Sequence, residues 1–347
     1  MELKELIISL CSTMSISGHE SQSHEKVKAL VGEYFDEIRT DNVGNILLVR
    51  RCGKENAARV LIDTHFDEIG MLVTGIKKGG FLSVTSVGGI DPAILQATDV
   101  VIYGKETLRG IIASTPPHLR KGDGKKLSKI SELLIDTGYS EEEIREIAPV
   151  GTPVGFVPRY TELLGENLCG KSLDDKACAA IAIYALANID ASALAADVYL
   201  LLSAQEETHR VGGVSPGAFS VDPDYAMVID VNLASVPDTQ KNETVEYGKG
   251  PAISISAVCD KRLTRMVEQL CRDKEIPFTR SAAPSNTGTN TPSLNLTGRG
   301  VPTTDIGLPL KSMHTYNETL NLADARHLAD LVREFVCSTK IKEAFTI

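Results

Sequence analysis

No apolar stretch of this 347-residue chain approaches the roughly 20 residues needed to span a bilayer, and the amino terminus lacks the long apolar region of a secretory signal. A cytoplasmic protein is expected. The seven cysteines are odd in number, scattered, and never spaced as CxxC, which excludes a thiolate zinc site and a disulfide framework. Basic charge is also scarce: the formal net charge is −10, with no basic stripe to offset it, which argues against nucleic-acid binding and against docking on anionic lipid. GxGxxG after a strand is missing, so the dinucleotide-binding fingerprint it marks is absent.

What remains is ordinary globular material. Hydrophobic residues make up 42% and charged residues 24%, with no low-complexity segment, and the length alone predicts about two domains. Helical spacing marks residues 2–14 and 22–38, the second through Val27, Leu30, Val31, Tyr34 and Phe35. Strands are expected at Asn45–Val49 and Val60–Thr64, joined by a hairpin-like connection. Short strands then follow between Ile69 and Ser114, punctuated by glycines. A β-rich insertion is therefore placed at 69–164, with small helices near Leu127–Asp136 and Ser140–Ile147, the latter carrying the capping-box pair Ser140 and Glu143. From Gly165 onward strands and helices alternate: a helix over Asp174–Asn188, strands at Asp197–Ser203 and up to Asp230, a helix over Asp260–Cys271, a strand at Pro302–Ile306, and a helix over Leu322–Val336. Residues 1–68 and 165–347 are expected to form one split α/β domain.

Three apolar runs end in metal-ligand chemistry: Val60 to Glu68, Val198 to Glu207, and Tyr225 to Asp230. In open α/β sheets ligands bind outside the carboxyl ends of the strands, so these polar ends converge. His65 and Asp67 lie on one side of the chain, and the adjacent Glu206 and Glu207 repel unless a cation or proton intervenes. Asp174 and Asp175 precede an alanine-rich helix. Each feature has a plainer alternative, such as an N-cap for either aspartate or a solvated acidic turn for the glutamates. His314 has no local support beyond a nearby carboxylate. Together they supply histidines and carboxylates suited to zinc, cobalt or manganese, and hence to a two-metal hydrolytic site.

Nine ordered blocks carry a resemblance: Ser17-Gly18-His19-Glu20, Asn42-Val43-Gly44-Asn45, His65 to Gly70, Gly88-Gly89-Ile90-Asp91, Leu173-Asp174-Asp175-Lys176, Gln205-Glu206-Glu207, Ile229-Asp230-Val231, Gly248-Lys249-Gly250-Pro251 and Met313-His314-Thr315. In this order they resemble the tetrahedral aminopeptidases, a co-catalytic metallopeptidase group that includes glutamyl and deblocking aminopeptidases and proteins labelled cellulase M. The resemblance implies a phosphorylase/hydrolase-like α/β catalytic domain with an inserted β-barrel-like dimerisation domain. It implies two divalent metal ions, one held by His65 and Asp230, the other by Glu207 and His314, with Asp174 bridging. Glu206 would be the general base and Asp67 would orient His65. Peptides would be the substrates, and dimers, then hollow dodecamers, the assembly. Rival readings are a deacylase of small amides and a catalytically weakened assembly protein. Three features depart from the family's pattern: the longer segment Thr208–Ala218 with its extra His209, Asn290 where aspartate is usual, and Lys176 where arginine is common.

Overall fold

The structure, a computed structural model, describes residues 2–114, 129–208, 212–240 and 243–346. His209 therefore lies outside the described residues. An eleven-stranded mixed sheet forms the centre. Its order is Glu37–Thr40, Ile46–Arg50, Asp197–Ser203, Arg59–His65, Tyr225–Leu233, Thr303–Lys311, Glu318–Asn321, Asn167–Gly170 and Tyr160–Leu163, with Ala252–Ser256 and Thr279–Ala283 branching from Thr303–Lys311. The central four strands, Asp197–Ser203 through Thr303–Lys311, run parallel.

Period-two alternation explains how this sheet is buried on both faces. Val60, Ile62, Leu200, Leu202, Met227 and Ile229 enter one core with the helices Leu3–Cys11, Leu173–Ala187 and Leu322–Cys337. Leu61, Leu201, Ala226 and Val228 enter the other, beneath Val214–Val221. The helix Leu173–Ala187 is buried nearly all round, and its alanines at 177, 179, 180, 182 and 185 let its neighbours approach closely.

The strand Arg59–His65 passes through Phe66-Asp67-Glu68 into a closed six-stranded barrel. The barrel strands are Gly70–Lys77, Phe81–Val87, Leu134–Asp136, Thr107–Ile112, Asp99–Tyr103 and Pro153–Phe156. Its interior has its own apolar cluster, including Met71, Val73, Leu82, Val84, Val100, Ile102, Ile135 and Val154. Gly70 sits at the junction, where an added Cβ would lie 2.8 Å from Ile16 Cγ1. A mixed α/β fold with a barrel is thus what the chain adopts. Tyr160–Leu163, just after the barrel, pairs with Asn167–Gly170 in the large sheet.

Three local expectations are corrected. Residues 22–38 are not one helix: it ends at Val31, a single tight turn covers Gly32–Tyr34, and Glu37–Thr40 becomes an edge strand. The connection after Arg50 is not a hairpin, because Asp197–Ser203 inserts between Ile46–Arg50 and Arg59–His65. Asp197 anchors that insertion by accepting Cys52 N–H at 2.9 Å and Arg51 Nη1 at 2.7 Å. The segment expected to be helical at Leu127–Asp136 is, in its described part, a short turn Ile130–Glu132 followed by the barrel strand Leu134–Asp136, whose Ile135 is fully buried. Among the described residues no helix is long and apolar enough to cross a membrane.

Candidate metal centre

The ends of the parallel strands bring the polar residues together. His65 is the last residue of its strand, and Asp230 lies within Tyr225–Leu233. Glu206 and Glu207 follow Ser203 on a turn, Asp174 opens the buried helix, and His314 lies just past Thr303–Lys311. His65 Nε2 is 3.0 Å from Asp174 Oδ1 and 3.8 Å from Asp230 Oδ1. His314 Nε2 is 3.3 Å from Asp174 Oδ2 and 3.4 Å from Glu207 Oε2. The two oxygens of Asp174 thus face two different histidines. His65, Asp174 and Asp230 form one group able to hold a metal, and Asp174, Glu207 and His314 a second, each with its ligand atoms within 4.8 Å of one another. Asp174 is common to both.

These groups line one cleft of about 430 Å³, together with Glu206, Val231, Asn286, Thr289, Asn290 and Met313. Asp67 lies behind it, fully buried. Its two carboxylate oxygens accept the backbone N–H groups of Glu206 and Glu207 at 3.0 Å each. His65 Nδ1 is nearer the Asp67 carbonyl oxygen, at 3.1 Å, than the Asp67 carboxylate, at 3.5 Å. Asp67 therefore touches His65 mainly through its backbone, while its side chain holds the glutamate turn.

The electrostatics show a demand for positive charge. Burial pushes Glu207 up to about 8, aided by the nearby Asp174 charge. Burial, then Asp175, raises Asp230 well above the usual carboxylate range. Asp174 is lowered because His314 and His65 outweigh its burial. A hydrogen bond to Asp174 lifts His314 to about 9. Burial would lower His65, but Asp174 and Asp67 outweigh it and raise it. So many buried acids cannot all ionise around two imidazoles alone, and divalent cations would satisfy them. The residues present fit that role: two nitrogen donors and three carboxylates form an oxygen-rich, borderline ligand set.

The sequence model of the M42 glutamyl aminopeptidase family matches residues 44–331. The chain belongs to that family. It is 29% identical to the lysyl aminopeptidase of Pyrococcus furiosus, over 95% of this chain and 94% of that protein. Among solved structures it is similar to the aminopeptidase APDkam598 from Desulfurococcus kamchatkensis, with a TM-score of 0.90, 28% identity, and coverage of 99% of this chain and 98% of the other. It is also similar to the Pyrococcus horikoshii TET1 peptidase, described as able to assemble into a tetrahedron or a large octahedral shell. There the TM-score is 0.85 and the identity 28%, over 96% of this chain and 99% of that one. Membership in this metallopeptidase family supports aminopeptidase function.

Sequence reasoning missed several residues that shape the site. Glu318, 2% exposed, accepts Asp174 N–H at 3.1 Å and His314 N–H at 2.9 Å, so one carboxylate ties both loops. It was visible only as an acid four residues past His314. Glu68 is buried with Lys171, Ser172 and Lys176 around it, residues that flank Asp174 in the sequence. Lys176, which departs from the family's arginine, donates to the Thr13 carbonyl at 2.8 Å. Asn290 donates to Asp63 Oδ2 at 3.0 Å and Ser203 Oγ at 2.9 Å, at the cleft wall. The plainer reading of Asp174 and Asp175 as N-caps gives way to contacts elsewhere: the Asp174 oxygens face His65 and His314, and Asp175 accepts His65 N–H at 3.1 Å.

Proposed function

We propose that this chain is a two-cation aminopeptidase that removes amino-terminal residues from peptides. The observation that carries the reading is Asp174, whose two oxygens serve two separate ligand groups, each with its own histidine and a further carboxylate. His65 and Asp230 would hold one cation, Glu207 and His314 the other, and Asp174 both. Zinc, with cobalt or manganese as alternatives, supplies when bound a lowered pKa for water and polarisation of the substrate carbonyl. Glu206 shares the cleft and acts as general base: its carboxylate takes the proton of the attacking water and returns it to the leaving amine. Asp67 fixes the backbone of Glu206 and Glu207 and braces His65. The free amino terminus of the peptide would bind at one cation or at a nearby carboxylate of the cleft.

We also read the barrel, which has its own core, as the unit inserted within 69–164, and 1–68 with 165–347 as the catalytic domain, whose large sheet Tyr160–Leu163 joins. The barrel would serve dimerisation. A homo-oligomer up to a dodecamer is proposed from the likeness to PhTET1-12s, described as a dodecamer, and to the TET1 peptidase with its tetrahedral assembly. A cytoplasmic place accords with seven free cysteines.

The test is a panel on metal-loaded protein: aminoacyl-anilides, their N-acetylated counterparts, and N-acyl amino acids. Cleavage of free-amine substrates alone is expected. Cleavage of N-acyl amino acids instead would replace the aminopeptidase by a deacylase. Silence across the panel with full metal occupancy would leave only an assembly role.

A further inference from the structure

Four consecutive backbone N–H groups, from Ala204 to Glu207, each donate to a side chain brought in from another segment. Ala204 donates to Asn45 Oδ1 at 2.9 Å, Gln205 to Glu20 Oε1 at 3.1 Å, and Glu206 and Glu207 to the two Asp67 oxygens at 3.0 Å. Outside support is needed here because Gln205 has a φ of 63°, a left-handed conformation that a side chain disfavours.

Among these acceptors Glu20 has no part in the chemistry proposed above. It is 2% exposed, and the same Oε1 also accepts Gly18 N–H at 2.8 Å. Burying a second carboxylate near Asp67 is unfavourable unless N–H donors offset it, and Glu20 has them from both its own loop and the glutamate turn. Gly44, at a φ of 109°, lies alongside: a Cβ added there would be in ordinary contact with Glu20 Oε2 at 3.4 Å and with Ala204 Cβ at 3.6 Å. Two sequence blocks without an assigned role, Ser17-Gly18-His19-Glu20 and Asn42-Val43-Gly44-Asn45, thus meet on the backbone of Ala204 and Gln205, the two residues preceding Glu206.

We infer that Glu20 is a positioning residue for the Gln205–Glu207 turn: its carboxylate fixes the backbone from which Glu206 and Glu207 enter the cleft. Glu20 acts through Gln205 and does not touch the reacting atoms. The inference rests on the reading of Glu206 as the general base.

The experiment compares Glu20→Ala, Glu20→Gln and Glu20→Asp as metal-loaded full-length chains. Aminoacyl-anilide kinetics are paired with amide hydrogen exchange in a fragment covering 204–208. Alanine removes the acceptor, glutamine keeps an oxygen for both N–H groups, and aspartate retracts it by one methylene. A misplacement of about 1 Å at a reacting group costs about 100-fold in rate, so Glu20→Ala should lower kcat about 10- to 100-fold with KM within about twofold. Its turn amides should exchange faster, and Glu20→Gln should recover most of kcat. Wild-type kcat in Glu20→Ala, or equal losses in the alanine and glutamine variants, would overturn the inference. If the alanine variant does not fold, wild-type kcat in Glu20→Asp does the same. If the wild-type chain cleaves no peptide, the functional reading fails separately, and unchanged exchange protection in the variants then overturns the positioning role.

Discussion

Replacing Asp67 by asparagine tests how the glutamate turn is held. The Asp67 carboxylate is fully buried and accepts two backbone N–H groups at 3.0 Å. Asparagine retains one acceptor oxygen and turns an NH2 toward the other N–H. One hydrogen bond to a charged group, worth about 1.5–3 kcal/mol, is lost, and a buried donor is left facing a donor. Removing one charge from a crowd of acids offsets part of this, so a net loss of about 2 kcal/mol is expected for the metal-loaded protein. Asp67→Ala orphans both N–H groups and should lose more. Urea unfolding at fixed protein concentration, followed by far-ultraviolet circular dichroism, measures both. The expected order of midpoints is wild type, then asparagine, then alanine. An asparagine variant within about 0.5 kcal/mol of wild type, or an alanine variant as stable as the asparagine one, would refute the reasoning.

Glu206→Gln should lower kcat by about 10²- to 10⁴-fold while metal content stays at the wild-type value, as read by steady-state kinetics and elemental analysis on one preparation. Asp174→Ala should lose both ions, whereas Asp230→Ala should weaken only one; equal stoichiometries would contradict a shared carboxylate. Glu68 offers a pH test: burial alone would raise it, but Lys171 and Lys176 outweigh burial and hold it at about 2 instead of 4.5. Its folded value is depressed, so its contribution of roughly 3 kcal/mol is present above its unfolded pKa and lost as pH falls toward the folded one. The gap in urea midpoint between wild type and Glu68→Gln should narrow from pH 6 to pH 3; a constant or widening gap would argue against the ion cluster.

The parallel sheet could be read from the sequence because its strands are buried on both faces and hence continuously apolar, as in Val60–Ile62 and Val198–Leu202. Ligands placed just past such runs are forced to one edge, which groups His65, Glu207 and Asp230; Asp174, before a helix, and His314, without local support, join them only through the family resemblance. Less visible were elements whose pattern is set by their neighbours. Glu37–Thr40 is half exposed at a sheet edge and continues a helical run, so local spacing favours the wrong conformation there. The insertion of Asp197–Ser203 between two strands that are adjacent in sequence depends on contacts such as Arg51 to Asp197, 146 residues apart. The same distance hides the supports of the site. Glu68 meets Lys171 across 103 residues, Glu20 meets Gln205 across 185, and Glu318 meets Asp174 across 144. Acids of this kind look like ordinary surface charges until the fold buries them against backbone donors.

The central claim is a pair of cations sharing Asp174, and titration of zinc into chelator-stripped protein tests it most directly, with bound metal and aminoacyl-anilide hydrolysis recorded at each step. The account expects two ions bound per chain and activity that appears as the pair fills. A single ion per chain, or turnover that persists in the stripped protein, would contradict it.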